Sequence, residues 1–166
     1  MKVKDIVLIS LLSASITSGK LVLSLVPNVE IVTLLFILYT IVFGIKNTLF
    51  VSVIFSTTEV FIYGLNIWSI FYFIVWPLLI IATYFIDKKF KSEYTFAILA
   101  LIFGLSFGFI AAVIESLFFG ISFGIAYFIR GIAFDIVHGV SNFIVVLLLF
   151  NPLKKILLYL KKDYYS

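Results

Sequence analysis

Cysteine is absent from the 166 residues, and histidine and methionine occur once each. Without cysteine there is no disulfide framework, no thiolate metal site and no cysteine nucleophile. A single histidine is also a poor basis for zinc, so no metal and no cofactor is expected. Charge is scarce too: 12% of the residues are Asp, Glu, Lys or Arg, against about a quarter in soluble domains. With 64% hydrophobic residues, the chain cannot cover a globular surface with polar groups and needs lipid as its solvent. The phosphate-binding pattern Gly-x-x-x-x-Gly-Lys-Ser/Thr is missing, so ATP hydrolysis is not expected of this chain. The Gly-x-Ser-Gly nucleophile motif of rhomboid-type proteases is missing as well. No internal repeat, low-complexity linker or soluble domain interrupts the sequence, which reads as one integral membrane domain, 1–166, ending in a basic tail, 151–166.

What is present is a succession of apolar stretches, and a membrane-crossing helix needs about 20 such residues. Segments 6–26, 29–45, 48–63, 67–86, 94–115 and 132–150 predict an all-α bundle of six transmembrane helices. The first is longer than the roughly 7–15-residue apolar core of a signal peptide and lacks a small-x-small cleavage site, so it reads as a membrane helix. Pro27-Asn28 closes it, Asn47 is the expected N-cap of the third segment, and Pro77 marks an expected kink in the fourth. The stretch 116–131 contains Gly120, Gly124 and Gly131 and reads as a loop or short interfacial helix over the mouth of the bundle. Lys and Arg set orientation. With both termini in the cytoplasm, Lys2, Lys4, Lys46, Lys88, Lys89, Lys91, Lys154, Lys155, Lys161 and Lys162 lie inside, and only Lys20 and Arg130 lie outside, ten of the twelve basic residues on one side. The net charge of +4 is thus a topology signal rather than a nucleic-acid surface. The lysines of 153–162 read as an anchor to anionic lipid.

On this topology Glu30, Glu59, Glu115, Asp135 and His138 all fall in the outer half of their segments, beside Lys20 and Arg130. Ionisable residues within a bilayer are costly and usually face a bundle interior or a wet cavity. Helical spacing groups them: Asp135, His138 and Asn142 share one face, as do Ser52, Ser56, Glu59 and Tyr63, and Trp68, Tyr72 and Trp76. Gly104 and Gly108 form a small-residue packing face with Ala112 and Glu115. The aromatic stripe is either packing or a stacking wall. Asp135–His138–Asn142 is either an interhelical network or part of a site. Glu59 and Glu115 either pair with Lys20 and Arg130 or line a cavity. The site reading predicts an outward pocket walled by Glu59, Trp68, Tyr72, Glu115, Asp135, His138 and Asn142. Asn28, Glu30 and the segment around Arg130 would cover it.

His138-x-x-x-Asn142 resembles one element of intramembrane CAAX-type proteases, but the double glutamate and the second histidine of that family are missing, so no catalytic residue is assigned. A broader likeness covers nearly the whole chain. The segment 27–33, leading on to Phe43-Gly44, and the segment 127–143, with Arg130, Asp135, His138 and Asn142 and closing at Asn151-Pro152-Leu153, resemble the substrate-binding S components of energy-coupling factor vitamin transporters. The family's Ala-x-x-x-Ala docking motif is matched at Ser10, Ala14 and Ser18 by small residues, only one of them alanine. The resemblance implies a prokaryotic plasma-membrane protein that binds a vitamin-like micronutrient from outside. It would dock on a transmembrane T component driven by two ATPases. Acids, one histidine and aromatics suit a ring-bearing, polar or partly cationic compound. A self-sufficient small carrier or channel and a non-transport assembly protein are the alternatives.

Overall fold

The computed structural model describes residues 3–26 and 29–165. They form six helices: α1 Val3–Leu23, α2 Val32–Phe43, α3 Ile45–Tyr63, α4 Ile67–Asp87, α5 Glu93–Phe119 and α6 Ile121–Tyr165. All but α2 are long and apolar enough to cross a membrane. The six expected helices are therefore present, but they are not six equal spans. At 12 residues, α2 reaches about 18 Å at 1.5 Å per residue, short of the roughly 30 Å hydrocarbon core. It is instead the most enclosed helix, buried continuously from Val32 to Thr40, with α1, α3, α4, α5 and α6 packed around it.

Glycine explains two departures from the sequence reading. Gly44 has φ +86° and ψ 159°, a region open essentially to glycine alone. It ends α2 early and serves as the N-cap of α3. Asn47 is therefore not the cap. It sits inside α3, and its amide donates back to the Phe43 carbonyl at 3.3 Å. Gly120, with φ +89°, likewise joins α5 directly to α6. The stretch 116–131 is consequently not a loop. Its first residues complete α5 and the rest open α6, a single helix of 45 residues that continues through Pro152 into the tail. The missing Pro N–H removes one helical hydrogen bond, a loss that does not end the helix. At the N-cap of α4, Asn66 and Ser69 form a reciprocal capping box. Asn28 lies outside the described residues.

Between membrane helices, association rests on close packing rather than on expulsion of water. The α5–α6 hairpin shows how. A Cβ on Gly104 would stand 2.6 Å from the Gly139 Cα, and one on Gly139 would stand 2.8 Å from Leu105 Cγ. Backbone therefore meets backbone along this antiparallel pair. At the centre of the bundle Trp76 packs against Phe36 at 5.1 Å between ring centroids and against Phe103 at 5.8 Å. Lower down, Phe96 stacks on Phe150 at 5.1 Å. The end of the tail returns to α2 and α1, where the Lys161 ammonium donates to the Val42 carbonyl at 2.6 Å and the Tyr164 hydroxyl donates to the Lys4 carbonyl. The two chain ends therefore share one end of the bundle.

Gly104→Ala is expected to lower the stability of the detergent-solubilised protein by about 1–3 kcal/mol, the usual cost of overpacking. Gly131→Ala, whose new Cβ meets nothing within 4 Å, should be neutral or stabilising by up to about 1 kcal/mol, because alanine favours helix. Thermal unfolding of the two variants side by side checks the contrast.

Candidate functional site

The end of the bundle opposite the chain termini carries the α1–α2 connection, the α3–α4 turn and the Gly120 joint. Here polar residues of all six helices converge. Glu59 on α3 is 4% exposed and forms an ion pair with Lys20 near the end of α1. The Lys20 ammonium also lies 4.9 Å from the Tyr63 ring centroid and 5.1 Å from that of Tyr72. The lysine is thus held by one carboxylate and two aromatic faces. The pair also lines a cavity of about 240 Å³ with Tyr63, Asn66, Trp68 and Tyr72.

A second centre sits at the start of α2. The Glu30 carboxylate accepts from the Thr33 N–H at 2.9 Å and from the Thr33 hydroxyl. It thereby satisfies one of the free N–H groups of the helix terminus and complements its positive dipole end. His138 Nε2 lies 3.5 Å from Glu30 Oε1, and the Asn142 amide donates to Thr33 Oγ1 at 3.3 Å. His138 and Asn142, one turn apart on α6, therefore clamp the N-terminus of α2. Asn142 is 1% exposed and belongs to this network rather than to a cavity wall. His138 does both: it stands edge-on to Phe107 at 4.8 Å and faces a cavity of about 320 Å³ with Glu30, Tyr72 and Trp76.

The third centre is Asp135. Its Oδ1 accepts from the Gly108 backbone N–H at 3.0 Å. The approach depends on glycine, because a Cβ there would fall on the carboxylate. Asp135 Oδ2 and His138 Nδ1 are buried without a hydrogen-bond partner among the described residues. Asp135 borders the largest of the three cavities at this end, about 510 Å³, with Trp68, Phe107, Tyr127, Arg130 and Phe134. Trp68 lines all three cavities, and the aromatic stripe of α4 grades from Trp68, half-exposed on the cavity walls, to Trp76, buried in the core and bordering one cavity only. Glu115 is 8% exposed and borders none of these cavities. Ser10, Ala14 and Ser18 are exposed on α1.

Several wall residues were not anticipated from sequence. Phe123, Tyr127, Gly131 and Asp135 recur every four residues and share one face of α6. That stripe is legible once 121–131 is read as helix. Phe107 and Thr33 carried no signal, because one is an ordinary apolar residue of α5 and the other a common helix-start residue.

Fold and site together define a helical bundle built for a bilayer, with a polar, aromatic-walled set of cavities at one end. Among the described residues no three metal-ligating side chains converge, and the chemistry on offer is recognition through aromatic faces, carboxylates and one imidazole. No family model, curated protein or solved structure matches the chain.

Removing one member of a buried ion pair strands the other. Lys20→Met is therefore expected to destabilise the protein by about 3 kcal/mol, and Lys20→Met/Glu59→Gln should recover most of that loss. Unfolding of the single and double variants in detergent measures the coupling, and a single variant as stable as the parent would refute it.

Proposed function

We propose that this protein is the substrate-capturing subunit of an importer of the energy-coupling factor type. It binds a small, ring-bearing micronutrient at the cavity end and delivers it through partner subunits that hydrolyse ATP. The observation that carries the reading is a pair of buried polar atoms without a hydrogen-bond partner among the described residues, Asp135 Oδ2 and His138 Nδ1, on the walls of aromatic cavities that share Trp68, Phe107 and Phe134. Buried polar groups are ordinarily satisfied, and a ligand can supply what the protein does not. A cavity of about 510 Å³ is within the roughly 300–1,000 Å³ typical of small-molecule sites.

Two further features support it. The clustering of lysines at the opposite end is what a cytoplasmic end requires, so both termini are assigned to the cytoplasm and the cavities to the outside, in a prokaryotic plasma membrane. The exposed Ser10, Ala14 and Ser18 offer a close-approach surface for a transmembrane partner helix. A self-sufficient channel is less well supported, because the end opposite the cavities is filled by fully buried side chains such as Phe96 and Phe150.

The test is to identify by mass spectrometry the small molecule that co-purifies with the solubilised protein and then to titrate it by calorimetry. Asp135→Ala should weaken its binding at least several-fold, in line with about 1–3 kcal/mol for a lost buried partner. Ala14→Leu should leave binding intact and abolish cellular uptake. Unchanged affinity in Asp135→Ala would refute the site, and normal uptake by Ala14→Leu would refute the docking face.

A further inference from the structure

The capture reading leaves the ligand's chemistry open, and the charge balance around the largest cavity narrows it. Asp135 is 3% exposed. One of its oxygens is engaged by a backbone N–H, and the other has no partner among the described residues. Tyr127 stands on the same cavity wall as Asp135. Elsewhere at this end, Lys20 is committed to Glu59 and His138 lies against Glu30. Arg130 lines the same cavity but is exposed, and it forms no ion pair with Asp135 or Glu115 among the described residues. An incoming anion could pair only with that exposed arginine and would meet the buried Asp135 carboxylate, where charge interactions are stronger than at the solvated surface. An incoming cation meets the reverse balance. The remaining walls, Trp68, Phe107, Tyr127 and Phe134, present ring faces and edges that favour a flat partner, and cations above all.

We infer that the cavity bordered by Asp135 takes a flat nitrogenous ring that presents a positive charge or paired N–H donors to the Asp135 carboxylate, and that it discriminates against anions of the same shape. The inference rests on the capture reading for its biological sense, but the cavity's chemistry is testable without knowing the natural ligand.

The experiment uses three probes with one ring and three charges: benzamidine, benzamide and benzoate. Each is titrated against the full-length protein in detergent, with quenching of tryptophan fluorescence as the readout, since Trp68 lines the cavity. Benzamidine should half-saturate at a concentration at least tenfold lower than benzoate, with benzamide between them. Asp135→Asn should weaken benzamidine at least tenfold and narrow its lead over benzoate. Gly131→Leu, which puts bulk into open space on the cavity wall, should abolish binding of all three. If Asp135→Asn does not remain monodisperse, the order of the probes on the parent protein and the effect of Gly131→Leu decide the matter. Benzoate binding as tightly as benzamidine, no binding of any probe at millimolar concentration, or an unaffected Asp135→Asn would each overturn the inference. Its failure is distinguishable from failure of the capture reading. A co-purifying anion would sustain capture and sink the inference. The predicted probe order in a protein that takes up nothing would do the opposite.

Discussion

A carboxylate inside an apolar bundle must find a partner, and at one end of this protein that requirement organises everything else. Burial of an unpaired charge costs several kcal/mol or more in a poorly hydrated environment. Glu59 is met by Lys20, which ties α3 to α1. Glu30 is met by Thr33 and His138, which ties the start of α2 to α6. Asp135 is met by the Gly108 N–H, which ties α6 to α5. Three polar contacts therefore join three pairs of helices at the same level of the bundle. Of these three acids, Asp135 is the one with a buried oxygen that has no partner among the described residues, and it borders the largest of the three cavities.

The cavities owe their existence to helix lengths and to glycine. Because α2 has 12 residues where α3 has 19, it stops about 10 Å short of its neighbour at 1.5 Å per residue. Leu23, Val26, Val29 and Glu30 line a cavity in that space. On the other side, the glycines of the α5–α6 hairpin let the two helices run close enough for a side chain of one to reach the backbone of the other. Gly108 and Asp135 are thus one feature: the glycine that permits close packing is also the hydrogen-bond donor that positions the acid.

Much of this was legible in the sequence. Apolar runs separated by Gly, Pro and charge located the helices, and the position of the acids within those runs placed Glu30, Glu59, Asp135 and His138 at a common end. Three things were not legible, each for a physical reason. Hydropathy does not distinguish a helix that spans lipid from one that is merely buried, so α2 was overextended to 29–45. Three glycines in the stretch 116–131 looked like a broken chain. Only Gly120 breaks the helix, whereas Gly124 serves close packing: a Cβ there would lie 2.6 Å from the Ala112 carbonyl oxygen. Partner choice was also hidden, since spacing put Asn142 on the face of Asp135 and His138 but could not show that its amide is spent on Thr33.

The central claim is that the acid-bearing end opens to the outside and admits small molecules to Asp135. The absence of native cysteine makes a direct measurement possible. Gly131→Cys puts a thiol on the wall of the Asp135 cavity, in open space, and Ser92→Cys puts one at the opposite end, before α5. In intact cells an impermeant maleimide should label the cysteine at 131 and leave the one at 92 untouched until the membrane is permeabilised. Labelling at 92 with protection at 131 would contradict the account.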